Sequence, residues 1–304
     1  MTKRKGGGRN RSHGPPSGAL KNKGVKGSKY LLDITLPVYG EWALAETAIN
    51  AIHEAAQGLN GGYRLIVVDN GTPAFIMEEG EKLVEPHIQA ERVREILRPQ
   101  DQFVRLKENV GYPKGQNEAA RRGRSPLILV LTADVVLEPG AITKMVKEMD
   151  DPTVGVVGPM LIFPEGSPHG PAGTVQHAGI AFGIRGKPFH IFIGWSPDHP
   201  KVNKKRDMLA LTGACFMTRR VLWDQLGGFQ EVYGAGTFED MDYCFSVRSL
   251  GGRIVFLPSA RATHFVGGSI KQGAGQQGFP LQVNETIFKG RWAQLLAWDE
   301  WKIW

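Results

Sequence analysis

The chain has 304 residues, 41% of them hydrophobic, and a formal charge of +7. That is enough apolar material for one large domain or two small ones, and it excludes a mini-protein stapled by disulfides or a metal. The charge sits at one end: residues 1–30 hold nine Lys or Arg and no acid, whereas residues 31–304 hold 28 Lys or Arg against 30 acids, so the body lacks the basic stripe expected for duplex binding.

Residues 1–30 are rich in Gly and basic side chains and poor in anything that buries. They read as a disordered tail, either a solubilising extension or a contact to anionic surfaces. No apolar stretch follows the basic residues as in a secretory signal, and no apolar run reaches the length of a bilayer span. From Leu31 the pattern is orderly. "YLLDITLPVYG" predicts a strand ending at Pro37, "EWALAETAINAIHEAA" a helix with an alanine-rich face, and "YRLIVVDNGT" a second strand running into a turn. A charged helix is expected from about Phe75 to Leu97. "QFVRLKENVGYPKG" then gives a strand and a bend, and "QNEAARRG" a short helix. The unbroken apolar run of "PLILVLTAD" suits a strand covered on both faces. "EPGAITKMVKEM" adds a helix and "TVGVVGPML" a strand, so the order up to residue 160 predicts an α/β layered sheet.

Residues 160–208 change character, with many Gly, Pro and His between short apolar segments, as in an elaborate loop and edge-strand region. "MLALTGACFMTRRVLWDQLGGF" returns to strand, turn and helix. "GTFEDMDYCFSVRSLGG" predicts a core helix with Glu239, Asp240 and Asp242 in its first turn, and "RIVFLP" another strand. Acids at a helix N-terminus meet unpaired N–H groups and the positive end of the dipole, so capping alone does not distinguish them from catalytic acids. Cys215 and Cys244 lie in apolar surroundings and read as buried thiols of a reducing, cytoplasmic compartment. Trp292, Trp298, Trp301 and Trp304 share part of a helical face; packing against the body, a dimer surface and peripheral membrane contact are the readings, in that order.

Pro37–Gly40, Asp69–Thr72 and Thr132–Asp134 each follow a predicted strand, where open α/β sheets bind ligands. The dinucleotide fingerprint is absent after the first strand, as is a P-loop, which disfavours NAD enzymes and P-loop NTPases.

The ordered set "ITLPVYG", "VVDNGT", "ENVGYPKGQNEAARRG", "GTVQHAGIAFG", "LTGACFMTRR", "LGGFQE", "FEDMDYCFSVRSLGGRIVFLPSARATHF" and Asn284, Lys289, Trp292 resembles the inverting family 2 glycosyltransferases of the GT-A fold, especially the bacterial rhamnosyltransferase-like members. The resemblance covers about residues 32–292. It implies a mostly parallel, Rossmann-like α/β sheet flanked by helices with an acceptor-side subregion. The implied division is a tail at 1–30, a catalytic domain at 31–292 with a nucleotide-binding part (31–135) and an acceptor and catalytic part (136–270), and a Trp-rich segment at 293–304.

By that resemblance Asp69 reads the donor base or ribose beside Pro37 and Tyr39, and Asn109, Gly111 and Asn117 complete the nucleotide shelf, although turn and cap formation also explain these types. The usual D-x-D stands here as Thr132-Ala133-Asp134, lacking its first acid. Asp134, with His264 as second ligand, would hold Mn²⁺ or Mg²⁺ on the donor diphosphate. Asp240 falls at the position of the general base, with Glu239 alongside and Asp242 positioning the acceptor or the helix. His177, His190, Trp195 and Gly213 fall on the acceptor side.

The implied reaction is transfer of one sugar from a UDP- or dTDP-sugar to a saccharide, lipid-linked or protein acceptor by a monomer or homodimer. The alternatives are a weak or inactive transferase-like binding protein, suggested by Thr132, and a nucleic-acid-directed glycosyltransferase, suggested only by the tail. A nucleotidyltransferase is a further rival, disfavoured by the Asp240 and His264 context.

Overall fold

Apolar residues alternate along the central strands so that successive side chains feed opposite layers, and helices cover both. Leu127, Leu129 and Leu131 enter one core with Leu32, Ile34 and Leu36, while Ile128 and Val130 enter the other. The computed structural model describes residues 28–74, 76–78, 82–84, 86–183, 186–266 and 280–296. In chain order the strands are β1 (Leu32–Val38), β2 (Tyr63–Asp69), β3 (Ile76–Glu78), β4 (Lys82–Val84), β5 (Gln102–Arg105), β6 (Leu127–Leu131), β7 (Val135–Leu137), β8 (Val154–Ile162), β9 (Val175–His177), β10 (Ile180–Phe182), β11 (Pro188–His190), β12 (Arg206–Asp207), β13 (Cys215–Arg219) and β14 (Arg253–His264). The helices are α1 (Trp42–Ala55), α2 (Pro86–Ile96), α3 (Tyr112–Arg121), α4 (Ala141–Glu148), α5 (Arg220–Leu226), α6 (Glu239–Ser249) and, from Leu281 to Leu296, α7.

Among the described residues the main sheet runs β12-β14-β8-β13-β6-β1-β2-β5, with β7 on β14 and β9 on β8. Strands β5, β2, β1 and β6 are mutually parallel, as are β8 and β14; β13 lies antiparallel between β6 and β8. Helices α1, α2 and α4 cover one face, and α3, α5, α6 and α7 the other. This is the mostly parallel α/β sheet of the GT-A type.

Three expected elements differ. The helix expected from about residue 75 begins only at Pro86, after the antiparallel pair β3–β4. Proline lacks an N–H and has a fixed φ, so it fits the first helical position and disfavours helix before it. Helix α3 starts at Tyr112, not Gln116, again with proline in its first turn. Strand β14 does not stop at Pro258; its register against β8 shifts between Leu257 and Arg261, and the irregularity accommodates the proline.

The basic tail lies outside the described residues except for 28–30, as do Trp298, Trp301 and Trp304. Trp292 packs inward, its indole N–H donating to Asp242 at 2.8 Å. Cys215 and Cys244 are free and buried, and burial raises both thiols, Cys244 to about 12. No helix among the described residues is long and apolar enough to cross a membrane.

Candidate active site

The carboxyl ends of β1, β2 and β6 open into a cavity of about 340 Å³. Pro37, Val38 and Tyr39 line one wall, with Asn70, Asn109 and Gly111; Thr132, Asp134 and His264 line a second, and Thr212–Ala214, Ala235–Thr237, Glu239 and Asp240 close the third. Residues more than 200 positions apart in the chain thus share one space.

The wall of Asn70, Asn109 and Gly111 is built by backbone geometry. Asn70, just beyond β2, donates its amide to Asn109 Oδ1 and Gly111 O and accepts from Val110 N–H. Gly111 has φ +83°, and a Cβ there would overlap Gly234 O. Gly111→Ala therefore requires both a strained backbone and a displaced wall. We predict a stability loss of about 2 kcal/mol, read by urea unfolding; a wild-type value would refute this account of the wall.

Asp69 ends β2 beside Val38 but is not among the residues lining the cavity. Its Oδ1 accepts from Thr72 N–H at 2.9 Å, Arg105 Nε stands 3.4 Å from Oδ2, and Oδ2 makes no hydrogen bond among the described residues. Asn117 is likewise away from the lining. Both ends of its amide bind the Phe229 backbone, so here it joins α3 to the segment after α5. Ala133 is buried and also absent from the lining.

The pairing of β7 with the end of β14 sets His264 opposite Val135 and thereby beside Asp134. His264 Nε2 lies 3.5 Å from Asp134 Oδ2, and Gln176 Oε1 is 3.3 Å from the other ring nitrogen. When that nitrogen donates to Gln176, the Nε2 lone pair faces Asp134, the orientation of a metal-binding imidazole. Burial alone would raise the Asp134 carboxyl, but contacts with His264 and Thr132 outweigh it and hold the group below its ordinary range. Among the described residues no three His, Cys, Asp or Glu are grouped to hold a metal by themselves. Two protein donors nevertheless fit a hard divalent cation that keeps water and phosphate oxygens as its other ligands.

At the third wall Asp240 Oδ2 accepts from Gly213 N–H and Oδ1 from Met241 N–H, each at 2.7 Å. Asp240 therefore both satisfies a first-turn amide and faces the cavity. Gly213 brings the backbone close enough for this; a Cβ would stand 3.1 Å from that of Asp240. Tyr112 donates to Gly213 O at 2.6 Å, and Gln116 donates to Tyr112. Glu239 is 5% exposed, and its Oε2 is buried with no hydrogen-bond partner among the described residues. Burial raises both carboxyls, Glu239 further because Asp240 lies beside it. The preceding residues, Thr237 and Phe238, have φ of 78° and 72°, a left-handed pair that costs about 1–3 kcal/mol per residue.

Asp242, expected to touch substrate, is 1% exposed and faces α7: Oδ1 accepts from Tyr233, Trp292 and Arg291. His177 and His190 lie behind the wall. Thr212 N–H donates to His177 Nε2, which places the His177 proton on Nδ1, 3.0 Å from His190 Nδ1. Burial keeps both rings neutral, lowering His190 to about 4, so the pair braces Thr212. Trp195 is 40% exposed, edge-on to Phe192 and His199, and is not among the lining residues. Asn70, Tyr112 and Thr212 are lining residues that sequence reasoning missed. For Asn70 the signal was its position directly after the Asp69 strand end; for Tyr112 and Thr212 there was none beyond neighbouring glycines.

The sequence profile described as "Glycosyltransferase like family 2" matches residues 84–278. A Sinorhizobium fredii protein, the uncharacterized protein y4gI, is 27% identical over 77% of this chain and 24% of its own length. The O-antigen biosynthesis protein RfbC of Myxococcus xanthus is 33% identical over 50% of this chain and 12% of its own. The chain thus spans about a quarter or less of these relatives. GalNAc-T7, solved with UDP, GalNAc and Mn²⁺, superposes with a TM-score of 0.58 at 14% identity, covering 78% of this chain and 44% of that one; this likeness is one of fold.

Proposed function

Because the chain belongs to the glycosyltransferase-like family 2, we propose that it transfers a single sugar, with inversion, from a UDP- or dTDP-sugar to an acceptor hydroxyl on a saccharide, a lipid-linked saccharide or a protein. The observation that carries this reading is the opposition, in one cavity, of Asp134 and His264 on one wall and Glu239 and Asp240 on another. Departure of a nucleoside diphosphate and activation of a hydroxyl need separated groups of these two kinds.

In this reading the donor nucleotide lies along Pro37, Tyr39, Asn70, Asn109 and Gly111, with Asp69 at its base or ribose end. Asp134 and His264 would hold Mn²⁺ or Mg²⁺, and the chemistry such a cation would supply is neutralisation of charge on the leaving diphosphate. Thr132 sits where a first acid is usual; its hydroxyl reaches Ala214 O at 3.4 Å and supplies an uncharged contact. Asp240 takes the acceptor proton, its carboxylate aimed by the Gly213 amide. Glu239, buried beside Asp240 in the same wall, orients that first turn. Asp242, His177 and His190 support this wall from behind, and Trp195 lies farther out on the acceptor side. The resemblance to rhamnosyltransferase-like members supports a deoxysugar donor and a surface-polysaccharide acceptor.

The test is a binding screen of UDP-, dTDP- and GDP-sugars, followed by acceptor screening with the best donor and assignment of product configuration by nuclear magnetic resonance. Failure to bind any nucleotide sugar, or a product that retains the donor anomer, would overturn the reading. A binding-only protein, the reading favoured by Thr132 at the D-x-D position, would bind donor without ever releasing the diphosphate.

A further inference from the structure

Among the described residues α6 has no side-chain cap, its N-cap residue is Phe238, and the turn before the acids closes on a single bond of its own, Gly236 N–H to Tyr233 O. A second restraint comes from α7. One side-chain amide, that of Asn284, is buried and stands 3.0 Å from Tyr233 O, 2.8 Å from Gly236 O and 3.1 Å from Thr237 O. It is also 3.2 Å from Thr237 Oγ1. Three carbonyls of one turn converge on two N–H groups. One helical turn later Phe288 packs on Phe238 and Phe245, and beyond it Arg291 and Trp292 reach Asp242 in α6. Helix α7 therefore grips the strained turn at one end and the first turn of α6 at the other, with Glu239 and Asp240 between the two grips.

We infer that Asn284 is a positioning residue: by binding the carbonyls of residues 233, 236 and 237 it holds the Thr237–Phe238 turn left-handed, which aims Glu239 and Asp240 into the cavity. An amide fits because, among the described residues, the carbonyls of residues 236 and 237 accept from no backbone N–H of the turn, and Tyr233 O, which accepts from Gly236 N–H at 3.2 Å, has a second lone pair free for a donor. Asparagine supplies two donors from a short side chain. An aspartate of the same shape supplies none and sets its oxygens against those carbonyls. A left-handed turn that is held from outside is released when the holder is removed, and glycine lowers the cost of the left-handed state.

The inference rests on the reading of Asp240 as the base, so its test includes a measurement that does not depend on turnover. Hydrogen exchange by mass spectrometry is followed over residues 233–242 in wild type, Asn284→Asp, Asn284→Ala and Asn284→Ala/Thr237→Gly, with Thr286→Ala on the exposed face of α7 as control. Single-turnover transfer is measured beside it. Both single variants are expected to exchange at least tenfold faster over 233–242 while β1, β6 and β13 stay protected. Transfer falls at least thirtyfold, and donor affinity stays within threefold. Adding Thr237→Gly returns exchange and transfer at least threefold toward wild type, and Thr286→Ala changes neither. Wild-type exchange over 233–242 in Asn284→Asp would overturn the inference. So would faster exchange spreading through the sheet strands in both variants, which would make Asn284 a general stabiliser. If the turn loosens as expected but wild type itself transfers no sugar, it is the functional reading that fails, and the clamp stands.

Discussion

Asp240→Asn is expected to lower glycosyl transfer by about a hundred- to ten-thousandfold, the contribution of a positioned base, while donor affinity changes less than threefold. The amide retains most of the carboxylate's shape and one acceptor for Gly213 or Met241 N–H, but it cannot take a proton. Glu239→Gln is expected to reduce transfer less, because its proposed part is to orient the first turn of α6, which an amide of the same shape largely retains. Steady-state rates and donor titration on the two variants give the order. Normal turnover in Asp240→Asn would return the first-turn acids to a capping role. The pH profile gives a second check. Burial raises both carboxyls, and the base works deprotonated, so transfer should rise with pH through a limb lying above the ordinary carboxylate value of about 4. A freely solvated acid would put that limb near 4. For stability the sign is opposite: the folded pair holds its protons more tightly than the unfolded chain, so its contribution falls as pH rises from the unfolded pKa to the folded one.

Asp134→Ala is expected to lower cation-supported transfer by at least a hundredfold, equivalent to about 2.7 kcal/mol of transition-state stabilisation. It should also abolish the Mn²⁺ binding seen by electron paramagnetic resonance in the presence of nucleoside diphosphate. Thr132→Ala should be milder, since its hydroxyl is uncharged and already close to Ala214 O. Stripping the protein with EDTA and restoring Mn²⁺ should remove and return turnover. Undiminished turnover in fully metal-free protein would sink the assignment of Asp134 and His264.

Much of the sheet was legible because its strands carry unbroken apolar runs and its helices carry periodic ones. The expected helix from residue 75 failed where charges imitate a helical face and only Pro86 marks the true start. The site was legible wherever a residue projects from a strand end: Pro37, Thr132 and Asp134 lie as their order along the chain suggests. It was poorly legible where an acid or amide serves the backbone. Asn117 and Asp242 are of binding type, yet in the structure they bond to Phe229 and to α7. The converse holds for Asn284, which the sequence marks only as one residue of the family resemblance and gives no role. Its partners lie about 50 positions earlier and become visible only once α7 is packed.

The antiparallel insertion of β13 between β6 and β8 also bears on how the protein is made. Strand β6 reads Leu-Ile-Leu-Val-Leu and is fully buried in the finished sheet. On a ribosome it emerges with β1 available on one side, but its other edge must wait for β13, roughly 80 residues later. At about 5–20 residues per second, that is on the order of 4–16 s with a greasy, unpaired edge at the centre of the nascent sheet. Such an edge is a template for pairing with another chain. The strand order therefore places the risk of aggregation in the interval before β13 is made more than in the finished sheet.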